Sequence, residues 1–265
     1  MSFLDEILKN FDQFGNRNAF CIKEKFYSYS ELGLKVRNII TLIKSKIHGR
    51  QNTIGIITND DLETYASIFA TWFTGNVFVP LNPRNPETRN TEIIKLAGIK
   101  NILTSETLID LSCTTHDIKV FDTDKPGNNP DYSGLFEEYD TDILYLLFTS
   151  GSTGIPKGVP VSLKNLDSFI HSFISYGYGF IPDDRFLQIY NLSFDASVHC
   201  YVVPLVTGSC VYTVPQDEIK YLYALKLMKD HDLTFVKMPP STIAYLRPYF
   251  NKIRLIKLKY CLLGG

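Results

Sequence analysis

A chain of 265 residues has room for one large domain or two smaller ones, each with a substantial buried core. With 45% hydrophobic and 21% charged residues it reads as globular and excludes a disordered polymer. Its 27 basic and 28 acidic side chains leave a formal charge of -1, which gives no case for nucleic acid or membrane and points to small molecules or proteins as partners. Cys21, Cys113, Cys200, Cys210 and Cys261 are odd in number and show no C-x-x-C spacing, and the five histidines form no H-x-x-x-H pair. That pattern fits reduced thiols in a cytoplasmic protein better than a disulfide frame or a zinc site, so no protein-bound metal is expected. No apolar run approaches the length that spans a bilayer.

In chain order, MSFLDEILKNFDQFG places Phe3, Leu4, Ile7, Leu8 and Phe11 at helical spacing and has acids at its fifth and sixth positions. It predicts an amphipathic helix and not a signal peptide. Residues 19–22 and 26–29 predict two short strands around the charged turn Lys23-Glu24-Lys25. Ser30-Glu31-Leu32 opens a helix that ends near Gly49. Strands at 54–58, 77–81 and 101–103 then alternate with helices at 62–74 and 86–97, a rhythm that implies parallel βαβ units and a sheet covered by helices. Between residues 122 and 142 the composition shifts to Asp, Gly, Asn, Pro and Ser. The expected organisation is therefore α/β, with a first sheet subdomain over 1–124, a linker over 125–142 and a second subdomain over 143–265.

The most informative stretch is LLFTSGSTGIPKGV, residues 146–159. An apolar strand from 143 runs into a loop with hydroxyls at Thr149, Ser150, Ser152 and Thr153, glycines at Gly151, Gly154 and Gly158, and one cation at Lys157. Glycines let backbone N–H groups approach a ligand closely, hydroxyls add short donors, and the lysine supplies a point charge, a set suited to polyphosphate. The spacing is not that of a Walker A loop, since Pro156 precedes the lysine and Gly158 follows it, and no G-x-S-x-G nucleophile elbow is present. Residues 157–161 predict a strand paired with 145–148, and Ser162 to about Tyr176 a helix. Residues 186–189 and 233–236 predict further strands. In NLSFDASVHCYVVPLVTG, Asp195 reads from its residue type alone as a helix N-cap. His199, one turn on, is compatible with a pocket wall or with packed core.

TSGSTGIPKG resembles, nearly residue for residue, the phosphate-loop motif of the adenylate-forming superfamily: acyl-CoA synthetases, luciferases and the amino-acid adenylation domains of peptide synthetases. FYSYSEL and FTGNVFVPLNPRNPETR resemble its first two core motifs, with Asn82 where an aspartate is common. FDAS resembles the fourth core motif of amino-acid-activating members, which implies that Asp195 binds the substrate ammonium. Lys237-Met238-Pro239-Pro240 resembles a corner that lines the specificity pocket, although Lys237 also fits an outward, snorkelling side chain. The final YCLLGG resembles the strand and turn, including Gly264, that approach adenine and substrate. Leu163 stands where many members carry a histidine, which D-alanine ligases of this type also lack.

The resemblance covers the N-terminal part of such an enzyme and implies its two sheet subdomains flanked by helices, without the C-terminal lid domain. The implied reaction is attack of an amino-acid carboxylate on MgATP, giving aminoacyl-AMP and pyrophosphate, followed by transfer to the phosphopantetheine thiol of a carrier protein. Thr149, Ser150, Gly151, Ser152, Thr153, Gly154 and Lys157 would hold the phosphates, Lys157 as the catalytic cation, and Asp195, His199, Lys237 and Gly264 the substrate. Ligands for Mg2+ and the remaining catalytic motifs are expected downstream of Gly265, which makes the chain by itself an expected poor catalyst. An acyl- or aryl-CoA synthetase, and a noncatalytic scaffold with the same fold, are the alternatives.

Overall fold

The computed structural model describes residues 1–106, 119–123, 142–150, 156–252, 254 and 257–264. In chain order the first elements are helix α1 (Phe3–Gln13), strands β1 (Asn18–Ile22) and β2 (Lys25–Ser28), α2 (Tyr29–Lys46), β3 (Thr53–Ile57) and α3 (Leu62–Phe73). There follow β4 (Val77–Leu81), α4 (Glu87–Ala97), β5 (Asn101–Thr104), β6 (Lys119–Asp122), β7 (Ile143–Ser150), β8 (Pro156–Ser162) and α5 (Leu163–Ser175). The last are β9 (Arg185–Gln188), α6 (Asp195–Val206), β10 (Cys210–Thr213), α7 (Lys220–Asp230), β11 (Phe235–Met238), α8 (Pro240–Leu246), a 3-10 segment (Arg247–Lys252) and β12 (Tyr260–Leu263). Two compact units result, one of Met1–Leu32 with Ile170–Gly265, the other of Gly33–Phe169.

In the unit 33–169 the sheet order is β6-β5-β3-β4-β7-β8, parallel except for β8, which returns antiparallel along β7. Strand β4 is buried at every residue, as a central parallel strand between two helical layers must be. Helix α3 begins where Asp61 accepts the Thr64 N–H at 2.8 Å, and every residue of it except Glu63 is buried. Glu63 instead pairs with Lys35. Helix α4 lays Ile93 and Ile94 on Ile57, Val79 and Leu81. Its end is set by Gly98, whose φ of 62° is a left-handed conformation that glycine adopts without strain. The Trp72 indole donates to the Leu144 carbonyl at 2.8 Å and so ties α3 to β7.

In the other unit the order is β12-β11-β9-β10-β1-β2, again parallel except for the last strand. Helices α7 and α8 cover the face that carries Leu187, Tyr212, Val236 and Met238. Phe186 and Phe235, with ring centroids 4.8 Å apart, belong to the opposite face and meet the rings of Phe180 and of His199 from α6. Helix α1 packs on α6, and the buried Asn10 donates to the Leu205 and Val206 carbonyls at 2.9 and 2.8 Å. These are among the carbonyls that a helix end cannot satisfy internally. Tyr29, fully buried, donates to the Ser209 carbonyl at 2.7 Å just beyond that end.

Both sheets follow one plan. The chain steps from β3 to its neighbour β4, then crosses back to β5 on the other side; it does the same from β9 to β10 to β11. The matching helices agree in length, 12 residues for α3 and α6 and 11 for α4 and α7. Such a reversal leaves a crevice at the carboxyl ends of the strands that flank it. The expected division at 125–142 is corrected by the pairing. Strands β7 and β8 belong to the first sheet, with Phe78 beside Tyr145, whereas β1 joins the second, with Phe20 beside Val211. Composition marks where a chain is polar but carries no signal for which distant strand an apolar segment will pair with. Residues 125–141 of the expected linker lie outside the described residues. Among the described residues no helix is long and apolar enough to cross a membrane.

Asn10 is thus a test of how α6 is held. Asn10→Ala should lower the unfolding free energy by about 2 kcal/mol, because two carbonyls lose their donor. Asn10→Asp should lower it further, since an acceptor then faces acceptors; urea unfolding followed by circular dichroism reads both.

Candidate functional site

The hairpin β7–β8 supplies the arms of the expected phosphate cradle. Thr149 lies opposite Lys157 and Ser150 opposite Pro156 at its open end. The Thr149 and Lys157 side chains are exposed, with Thr149 Oγ1 3.5 Å from the Lys157 carbonyl oxygen. Gly158 packs closely against the hairpin's own side chains: a Cβ there would sit 3.0 Å from Leu146 Cδ1 and 3.2 Å from the Phe148 ring. Gly151, Ser152, Thr153 and Gly154 lie outside the described residues. A hydroxyl and an ammonium facing each other across two strands are well placed to grip an anion.

In the other unit, a cavity of about 230 Å³ opens at the carboxyl ends of β9 and β11, where the strand order reverses. Ile189, Tyr190 and Asn191 enter it from the end of β9, and Phe194, Asp195 and Ala196 from the start of α6. Pro239 and Thr242 come from the segment after β11, and Lys220 from the first turn of α7. The Lys220 ammonium donates to the Ile189 carbonyl at 3.2 Å. Tyr190, a wall of the cavity, donates to the Gly264 carbonyl; Gly264 itself is not among the lining residues, and a Cβ built on it would meet open space.

Asp195 is exposed and takes the first position of α6; the capping position belongs to Phe194, whose side chain has nothing to cap with. The expected N-cap is therefore displaced by one residue. The cause is an Asx turn upstream, in which Asn191 Oδ1 accepts the Ser193 N–H at 2.9 Å and the Asn191 carbonyl accepts the Phe194 N–H at 3.0 Å. Asp195 Oδ1 accepts the adjoining Ala196 N–H at 2.7 Å. Among the described residues no cation forms an ion pair with Asp195.

His199 does not line this cavity. It is 3% exposed, meets Phe173 edge-on at 4.3 Å, and has Nδ1 3.7 Å from Cys200 Sγ. Burial, and next the charge of Lys237, push its pKa down to about 3, so the ring is neutral. Lys237 is half-buried with its ammonium 6.0 Å from the centroid of Tyr190, a cavity wall. Half-burial with the ammonium on the Tyr190 side is compatible with the snorkelling reading of Lys237, which is not among the residues that line the cavity. Tyr190, Asn191, Lys220 and Thr242 were not anticipated. Their common signal is a place just past a parallel strand or in the first turn of a helix, visible only once strand order is known.

The neutral His199 has a pH signature. Unfolded, it titrates near 6.5, whereas the folded ring stays uncharged down to about 3, so the unfolded state binds the extra proton in that window. Stability should fall as pH drops below 6.5, by about 2 kcal/mol at roughly pH 5 from this group alone. Urea midpoints at neutral pH and roughly pH 5 should converge in His199→Phe relative to the unsubstituted chain.

The profile of the AMP-binding enzyme family matches residues 8–265. Tyrocidine synthase 2 of Brevibacillus parabrevis is 28% identical over 233 residues, 87% of this chain but 6% of that protein. The peptide synthetase FmoA3 in its α-methyl-L-serine-AMP-bound form superposes with a TM-score of 0.89 at 20% identity, over 100% of this chain and 30% of that one. The NpsA N-terminal subdomain of Klebsiella oxytoca, in complex with 3-hydroxybenzoyl-AMSN, gives 0.80 at 19% identity, over 95% of this chain and 63% of that one. With nearly its whole length matched by that one profile, and with the two sheets and their crevice to match, the chain belongs to the AMP-binding enzyme family.

Proposed function

We propose that this chain provides the phosphate-holding hairpin and the amino-acid crevice of an AMP-forming ligase that activates an amino acid as its aminoacyl-adenylate. The chain spans only part of the length of the relatives it matches, so the reaction is assigned to the enzyme that carries this region. In that reaction a carboxylate oxygen attacks the α-phosphorus of MgATP, the bond to the β-phosphate breaks and pyrophosphate leaves. Phosphoryl-type chemistry of this kind is driven mainly by positioning and charge neutralisation. Lys157 and Thr149, exposed at the open end of β7–β8, would neutralise and orient the β- and γ-phosphates. The aminoacyl group would then pass to the phosphopantetheine thiol of a carrier protein.

One observation carries the amino-acid assignment: Asp195 presents a carboxylate with no described cation partner to a small crevice of largely apolar walls. An ammonium entering such a crevice loses water and needs an opposite charge. The fold alone does not separate this reading from aryl- or acyl-acid activation, because the NpsA subdomain shares it while holding a hydroxybenzoyl ligand. The carboxylate at position 195 supports the amino-acid reading.

Calorimetry with a panel of aminoacyl-sulfamoyl adenosines and their des-amino counterparts tests this. Asp195→Asn should weaken the best aminoacyl ligand at least tenfold and leave its des-amino partner unchanged. Equal losses for both would contradict the role, and a preference of the unsubstituted chain for the des-amino series would favour an acyl-activating enzyme. Lys157→Ala should weaken ATP but not the sulfamoyl adenosines, which lack β- and γ-phosphates.

A further inference from the structure

Apart from the crevice, the β1–β2 hairpin and the end of α7 bring together three side chains of a kind that metal ions use. A Cys21 sulfur, a Glu24 carboxylate oxygen and a His231 ring nitrogen lie within 4.8 Å of one another. Cys21 is buried in β1, Glu24 sits in the exposed turn that follows, and His231 is the C-cap of α7. The turn is unusual for its residues. Lys23 and Glu24 both take left-handed backbone angles, φ 49° and 63°, where a two-residue hairpin ordinarily has Asn-Gly. The Glu24 carboxylate is fixed from both sides, by Lys226 at 2.8 Å on Oε1 and by His231 Nε2 at 2.7 Å on Oε2. The His231 ring is held between Phe26 and Tyr212, with centroids at 5.8 and 5.1 Å, and its carbonyl accepts from Arg185 at 2.5 Å.

We propose that Cys21, Glu24 and His231 form a binding site for a zinc-type divalent cation. Thiolate sulfur, imidazole nitrogen and carboxylate oxygen are the three ligand types zinc takes, and three protein ligands leave a fourth position for water. Zinc bonds of about 2.0–2.3 Å hold tetrahedral ligands roughly 3.3–3.8 Å apart, so on binding the Glu24–His231 pair, 2.7 Å apart, exchanges its hydrogen bond for the metal and opens, while separations that approach the 4.8 Å limit close by about 1 Å. Burial, and next the Glu24 carboxylate, hold the Cys21 thiol up at about 12, so the cation displaces its proton as it binds. The Glu24 N–H and the Lys226 charge act the other way and favour the thiolate. No local motif signals this site, because one ligand comes from near the end of the chain and two from near its start.

Cobalt makes the site visible. Protein stripped of metal with a chelator and titrated with Co2+ should bind one equivalent with a thiolate-to-cobalt charge-transfer band, and Zn2+ should bleach it. Cys21→Ser should abolish the band. His231→Gln and Glu24→Gln, at partly or fully exposed positions, should each weaken Co2+ at least tenfold while circular dichroism shows them folded, and they carry the test if the buried Cys21 variant does not fold. A wild-type protein without the band, a band that survives Cys21→Ser, or affinity unchanged in both other variants would overturn the proposal. Glu24 would then be only the ion-pair partner of Lys226 and His231.

Discussion

The proposed function rests on a carboxylate at the first turn of a helix, Asp195, beside a crevice whose walls are mainly apolar. The peptide dipoles of α6 favour negative charge at the position Asp195 occupies, and the Ala196 N–H orients one of its oxygens. The crevice exists because β9 lies between β10 and β11, so the connections leave it in opposite directions. The far end of the same 12-residue helix, about 18 Å away, is pinned by Asn10 and, beyond it, by Tyr29. Residues from the first thirty positions therefore hold the end of the helix that carries Asp195 in its first turn.

The duplicated plan shows how much of this is fold and how much is side chain. At the matching place in the unit 33–169, Asp61 opens α3 as Asp195 opens α6. There, however, the polar groups are spent on one another: Asp61 caps Thr64 and accepts from the Ser105 hydroxyl, and Asn59 donates to Ser105 at 2.9 Å. Two strand-order reversals of equal topology thus differ in chemistry by which carboxylate is already engaged, a local instance of function residing in the site and not the scaffold. In the same unit Asn82, which stands where an aspartate is common, accepts the Arg84 N–H at 2.9 Å and takes the Asn90 amide on its carbonyl.

Local order was legible in the residues and long-range order was not. The alternation of strands and helices, the pairing of 157–161 with 145–148 and the helix opening at FDAS all depend on neighbours within a few positions, and all are present. The pairing of β1 with β10 depends on contacts between segments nearly the whole chain apart, for which an apolar run carries no address. Lys237 shows the same limit at the scale of one side chain. A lysine on a strand reads as solvent-facing, whereas Lys237 is half-buried with its ammonium 6.0 Å from the Tyr190 ring centroid. His199 was open between pocket and core, and only the rings of Phe173 and Phe235 around it place it in the packed layer.

The most direct test is a crystal structure of this chain with a bound aminoacyl-sulfamoyl adenosine. The account predicts the ligand ammonium about 3 Å from a carboxylate oxygen of Asp195, the separation of a charge-assisted hydrogen bond. A ligand whose amine points away from Asp195, with that carboxylate still bonded only to its own helix, would contradict it.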